Sequence, residues 1–309
     1  MRFVLHIRGG LGNQLFQYAT MRYLQSLRPG ADMCIDKSGY RNYTIRDFEL
    51  TQFRLIENVR EYHGYNFFYL FSRKCYHLYQ YVYHRFTGYY APMLGALYQR
   101  LGLFYSTIDY VVPINFSKTD NYLYGYFASF NYIDTIRDVI IKEVELKESL
   151  KEEAKRYIDN IKRAENPVGV SVRYGNDYQN LGWPICQKEY YISGMKKIQE
   201  KRGHCKFFIF SDVIDIIIKE RWFDGYDVEY ISGLSVPESF TLLKSCSDFV
   251  IPNSSFSVWA AYLCENPNKI VYAPNYFYTE KYKHKYDRLI HFKGELFLDY
   301  RTGEETDDI

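Results

Sequence analysis

From Asn166-Pro167 onward the chain alternates short apolar runs with helical stretches, and that alternation restricts the fold more than any other feature. Residues 168–172, 206–210, 227–231, 248–251 and 269–272 read as strands. Between them 189–200, 214–221, 237–244 and 256–263 carry helical spacing, the third helix started by Ser235 and Pro237. Strands joined by helices in this way form βαβ units and a parallel sheet, so the fold class is α/β. In such sheets ligands lie outside the carboxyl ends of the strands. The residues just past each strand are therefore the candidate site.

The first strand runs into Arg173-Tyr174-Gly175-Asn176-Asp177-Tyr178. A guanidinium there can hold a pyrophosphate oxygen with paired, charge-assisted hydrogen bonds. Asp177 could orient that arginine, contact a sugar or accept a proton; the competing reading is a surface ion pair between Arg173 and Asp177. The second strand ends in Phe210-Ser211-Asp212. These polar residues suit recognition of a base or ribose, but taken alone helix capping explains them better. The fourth strand is stopped by Pro252 and followed by Asn253-Ser254-Ser255-Phe256-Ser257. Four polar residues in five exceed what a helix cap needs, and a helix start is a natural anion site. Phosphate binding is the favoured reading for this loop.

The N-terminal half opens with a second strand-to-helix turn. Phe3-Val4-Leu5-His6-Ile7 reads as a strand, Gly9-Gly10-Leu11-Gly12 as a turn, and helical spacing begins at Asn13. A dinucleotide-binding fingerprint would need a third glycine where Leu15 stands, so that motif fails. Gly10 and Gly12 instead suit close backbone approach to a ligand, with Asn13 and Gln14 as polar contacts. A purely structural tight turn competes with this. The stretch 60–132 is dense in aromatic residues without a clean period, and 147–163 reads as a charged linker helix. The expected division is an N-terminal domain over 1–160 and a C-terminal domain over 161–309.

Composition removes several functional classes. A net charge of +2 leaves no electrostatic footprint for nucleic acid. The six cysteines lack metal-type spacing, and their scatter fits a reducing compartment. The N-terminal apolar run is too short and too charged for a signal peptide, so the cytoplasm is the expected location. Among 34 Tyr and 22 Phe, those over 62–90 are expected mainly to pack the N-terminal domain. Arg73, Lys74 and Arg85 among them suggest a minority of acceptor or membrane-surface contacts.

Together these segments resemble the α-1,2-fucosyltransferases of glycosyltransferase family 11. The resemblance rests on Gly9-Gly10-Leu11-Gly12-Asn13-Gln14-Leu15-Phe16-Gln17-Tyr18-Ala19, Gly125-Tyr126-Phe127, Phe210-Ser211-Asp212 and Asn253-Ser254-Ser255-Phe256-Ser257-Val258-Trp259-Ala260-Ala261, in the family's order. One motif departs: where the family carries His-x-Arg-Arg-Gly-Asp-Tyr, this chain has Ser171-Val172-Arg173-Tyr174-Gly175-Asn176-Asp177-Tyr178. The histidine and second arginine are gone, and Asn176 lengthens the loop by one.

The resemblance implies a GT-B arrangement, two Rossmann-like domains facing each other across a cleft. It implies transfer of fucose, with inversion, from GDP-fucose to a galactose-terminated glycan, without a metal or other cofactor. The chain contains no Asp-x-Asp, the metal–diphosphate pair of many other glycosyltransferases. Arg173 would then meet the leaving-group charge, and Asp177 is the first candidate for the base. Gly10, Gly12, Asn13, Gln14, Ser211, Asp212, Asn253, Ser254, Ser255 and Phe256 would line the donor and the cleft. Peripheral association with the inner face of a membrane is a further expectation. Two other readings stay open: a fucosyltransferase for another hydroxyl or acceptor class, and a sugar-nucleotide or glycan-binding protein that has lost catalysis.

Overall fold

The computed structural model describes all residues except 42–44, 56–58, 65, 90, 93–95, 107–115, 118, 176–182, 279–289 and 308–309. The chain divides into two compact units, Met1–Val144 and Glu145–Ile309.

The first unit runs β1 (Arg2–His6), α1 (Leu11–Leu27), β2 (Asp32–Asp36), β3 (Val59–Glu61), α2 (Phe67–Thr87), α3 (Ala96–Arg100), β4 (Leu103–Tyr105), β5 (Asp120–Tyr124) and α4 (Arg137–Glu143). Its sheet has the order β3-β2-β1-β5-β4, and every pairing is parallel. Phe3, Val4 and Leu5 are fully buried, as a parallel strand covered on both faces requires. The second turn of α1 and the residue after it are equally enclosed, because Leu15, Phe16, Tyr18 and Ala19 all lie in the core. Glu143 at the end of α4 ties that helix to α1, accepting from Tyr18 Oη at 2.8 Å and pairing with Arg22 at 2.8 Å.

The aromatic stretch departs from the expectation that it serves mainly for packing. Only Tyr69 and Tyr76 of the 21-residue α2 are buried, against Tyr105, Tyr122 and Tyr124 of the sheet.

The second unit runs α5 (Glu152–Arg163), β6 (Pro167–Val172), α6 (Lys188–Arg202), β7 (Lys206–Ser211), α7 (Ile214–Lys219), β8 (Val228–Ile231), α8 (Val236–Lys244), β9 (Asp248–Val250), α9 (Ser255–Leu263), β10 (Val271–Pro274) and β11 (Glu295–Leu298). Its parallel sheet has the order β11-β10-β9-β6-β7-β8. The five predicted strands are all present, and β11 adds a sixth. Ser235 starts α8 through a full capping box with Glu238, and Pro237 sits in the first turn, as the sequence predicts. The charged helix α5 belongs to this second unit, where Ala154, Tyr157, Ile158 and Ile161 are buried and the helix packs on α8.

These strand orders fix where ligands can bind. In the first unit the chain winds from β1 out to β3, crosses to the far edge at β4 and returns to β5 beside β1, whereas in the second the winding reverses once, between β6 and β9. At such a switch point the flanking loops leave in opposite directions and open a crevice at the carboxyl ends.

Candidate active site

In the second unit Arg173, Asp212 and the loop after β9 lie at the carboxyl ends of β6, β7 and β9. Arg173 follows β6 directly, and its Nη1 lies 2.7 Å from Asp212 Oδ2 at the end of β7. The same carboxylate accepts from the backbone N–H of Tyr174 and of Gly175, both at 3.1 Å. Asp212 therefore closes the loop after β6 and fixes the guanidinium. Both side chains are about one-fifth exposed, so the pair can still meet a ligand (19% and 21%).

Asp212 is a partner of Arg173 among the described residues; Asp177, the partner offered by the sequence, lies outside them. One local reading is corrected by this geometry. Ser211 and Asp212 do not cap α7, whose cap residue Val213 offers no side-chain bond. Ser211 Oγ instead accepts from Val213 N at 3.0 Å, turning the chain at the strand's lip.

The loop after β9 lies on the other side of the switch point. Ser257 Oγ is 2.7 Å from Ser171 Oγ, and both are buried. The serine that replaces the family's histidine thus joins β6 to the start of α9. Asn253 is almost wholly buried, and its Nδ2 donates to the carbonyls of Pro184 and Phe277 at 2.9 and 3.1 Å. Its amide nitrogen braces two neighbouring loops. Ser254 occupies the cap position of α9 without a side-chain cap bond, and no acidic residue stands in the first turn. Ser254, Ser255 and Phe256 are half-buried, with the Phe256 ring edge-on to Phe240. Tyr174, standing where the family has its second arginine, packs edge-on against Trp222.

In the first unit Gly9 takes a left-handed φ of +85°, and Gly10 precedes α1. Tyr40 Oη donates to the Gly9 carbonyl at 2.6 Å, which holds the turn. Gly12 is buried within the helix, while Asn13 is half-exposed. Gln14 is fully buried, its Nε2 donates to Gly9 O and Asp47 O, and its Oε1 accepts from Glu49 N. Those bonds clamp the turn to the chain after β2.

The carboxyl ends of β1 and β2 in this unit also gather His6, Asp36 and Arg73, of which the sequence singles out only Arg73, and for a surface contact. His6 Nδ1 lies 3.0 Å from Asp36 Oδ2, which also accepts from Tyr69 Oη at 3.2 Å. Arg73 of α2 stands 4.0 Å from the same oxygen. Arg8 donates to Tyr124 Oη and lies over the rings of Tyr124 and Tyr126. Burial lowers the His6 imidazole below its ordinary range, and Arg73 and Arg8 add to this against the opposing pull of Asp36. Burial alone would raise the Asp36 carboxyl, but bonds from His6 and Ser38 hold it far below the usual carboxylate range. The available signal was His6 and Arg8 interrupting an otherwise apolar strand. A cavity of about 280 Å³, lined among others by Arg2, Asp32 and Arg60, lies beside the starts of β1 and β2, away from these strand ends.

Two units, each built on a parallel sheet flanked by helices, define the class as a GT-B-type α/β protein. The crystal structure of fucosyltransferase NodZ from Bradyrhizobium shares this fold, with a TM-score of 0.52 at 15% identity over 84% of this chain and 91% of that one. The model for glycosyl transferase family 11 matches residues 102–293, more than half of the chain, and the protein belongs to that family. That span holds Gly125-Tyr126-Phe127, Arg173, Asp212 and the 253–261 segment, whereas the Gly9–Ala19 string precedes it. Among curated relatives, an alpha-1,2-colitosyltransferase of Escherichia coli is 27% identical over 92% of this chain and 95% of its own length. The O-antigen biosynthesis glycosyltransferase WbnK of Escherichia coli is 25% identical over 90% and 96%.

Proposed function

We propose that this glycosyltransferase moves L-fucose from GDP-fucose to the 2-hydroxyl of a terminal galactoside in a glycan, inverting the fucose carbon. The observation that carries the reading is Arg173, held by Asp212 at the carboxyl end of β6, beside the switch point where α9 begins. In the reaction the acceptor oxygen forms a bond to the fucose carbon while the bond from that carbon to the β-phosphate oxygen breaks. The departing electron pair leaves negative charge on the diphosphate. In this reading Arg173 and the N-terminal backbone of α9 meet that charge. The acceptor's proton passes to a base, for which Asp177 is our first candidate.

Ser211 and Asp212 border the nucleotide in this reading, Ser254, Ser255 and Phe256 the diphosphate and sugar, and Gly10, Gly12 and Asn13 the acceptor side. No metal or cofactor is part of the proposal. Turnover should therefore survive EDTA, and loss restored by added Mg²⁺ or Mn²⁺ would refute the charge assignment.

A second reading is favoured by one relative: the name of the 27%-identical protein gives colitose as its transferred sugar and an α-1,2 linkage. That linkage supports attack by a 2-hydroxyl, and the sugar keeps colitosyl transfer as the alternative donor chemistry. A screen of activated fucose and activated colitose against neutral galactosides separates the two. Donor binding without turnover on any acceptor would instead indicate a sugar-nucleotide-binding protein.

A further inference from the structure

Helix α2 turns an apolar face outward. Phe67, Phe71, Lys74, Leu78, Tyr81 and Arg85 recur at alternating four- and three-residue spacing, which places them along one stripe of the helix. Phe68, Val82 and Phe86 flank that stripe. The side chains are open: Phe67 is 71% exposed, Leu78 64%, Tyr81 69% and Phe86 84%. The opposite face, through Tyr69 and Tyr76, is the one that packs on the sheet. A contiguous apolar face of this length is unusual on a soluble surface and marks a contact with something else.

The charge pattern selects the occupant. No acidic residue occurs anywhere in α2, while Arg73, Lys74 and Arg85 are basic, two of them within the exposed stripe. A second copy packed face to face would set lysine and arginine against their own kind with no carboxylate in the helix to pair them. An anionic bilayer takes the same residues favourably, with aromatic rings at headgroup depth and long basic side chains reaching the phosphates. Among the described residues no helix is long and apolar enough to cross a membrane, so the contact is a surface one.

We propose that the outward face of α2 docks the protein on an anionic lipid surface, with the helix axis in the plane of the interface. Phe67, Phe71, Leu78 and Phe86 enter the headgroup–acyl boundary, and Lys74 and Arg85 meet lipid phosphates. Docking needs neither donor nor acceptor, so it stands or falls apart from the transfer reaction.

The chain supplies its own probe site, because Cys75 lies on this helix and is exposed while the other five cysteines are buried. The full chain is labelled at Cys75 with an environment-sensitive fluorophore and mixed with vesicles of phosphatidylcholine, with or without phosphatidylglycerol, at physiological salt. The expected result is co-sedimentation with the anionic vesicles, a blue shift of the probe, and little of either with neutral vesicles. Lys74→Gln with Arg85→Gln should lower partitioning roughly thirtyfold. Phe71→Ser with Leu78→Ser should lower it on the order of a hundredfold. All four positions are exposed, so unchanged melting confirms that the fold persists. Absence of binding to anionic vesicles overturns the proposal. So does a concentration-dependent dimer that shifts the probe without lipid, because the face is then covered by a second copy.

Discussion

Truncating Arg173 should separate catalysis from folding, because its partner does not depend on it. Asp212 keeps two backbone donors, Tyr174 N and Gly175 N at 3.1 Å, when the guanidinium is removed. The carboxylate therefore stays satisfied, and the lost ion pair, partly open to water, should cost about 1 kcal/mol of stability. Turnover should respond far more strongly. With no metal in the proposal, the guanidinium is the one side-chain cation assigned to the charge growing on the β-phosphate. Loss of one such donor costs about 10²–10³ in turnover. Arg173→Lys keeps the charge but not the two-pronged geometry, so it should recover only part of the rate. Asp212→Asn removes the ion pair and sets an amide N–H₂ against one of the two backbone N–H groups. It should destabilise by about 1–3 kcal/mol and lower turnover through a poorly held arginine. The assay is turnover at saturating GDP-fucose, paired with a melting curve for each variant. Should Arg173→Ala keep more than about a tenth of wild-type turnover, a loss below that donor range, another cation meets the leaving group and the site assignment fails.

Three further outcomes follow from the same geometry. Because burial lowers the folded His6 imidazole, the unfolded chain protonates first, so its stabilising contribution is full above about pH 6.5 and falls as pH drops below it. Asp36, held low in the fold, adds a second loss as pH falls below about 4. Melting temperature should therefore decline from pH 7 to 5 in wild type and less in His6→Gln; equal slopes would contradict this. Gly125→Ala would place a Cβ 1.8 Å from the Ser106 carbonyl oxygen, so we expect a loss above about 3 kcal/mol in urea unfolding, and a loss below about 1 kcal/mol would refute that packing. Ser254→Ala with Ser255→Ala should weaken GDP binding by about 1 kcal/mol per hydrogen bond; unchanged affinity by calorimetry would remove this loop from the donor site.

The C-terminal sheet was legible because its strands are buried on both faces and read as near-continuous apolar runs, such as Val168-Gly169-Val170 and Phe207-Phe208-Ile209. Strand β11 escaped notice as an edge strand that begins with Glu295 and leaves Leu296 40% exposed. In the N-terminal unit β2 is bracketed by Asp32 and Asp36, and β3 is only Val-Arg-Glu, so neither shows an apolar run. Site residues followed the same logic. Arg173 could be found from its place after a strand, but its pairing with Asp212 could not. Asp212 is brought to Arg173 only by the register that pairs Val172 with Ser211, which no local spacing shows. The cluster of His6, Asp36 and Arg73 draws on two strands and a helix, and no local spacing announces it. Gln14 matched a family string, yet the fold uses it to clamp a turn.

The central claim is fucosyl transfer to a galactoside 2-hydroxyl, and acceptor-dependent release of GDP from GDP-fucose tests it most directly. The purified protein is incubated with GDP-fucose alone and with a β-galactoside, free GDP is quantified, and the product linkage is read by NMR. Release that rises with the galactoside, together with fucose α-linked to its 2-oxygen, is the predicted result. No acceptor-dependent release from GDP-fucose, with turnover appearing only when activated colitose is supplied, would contradict it.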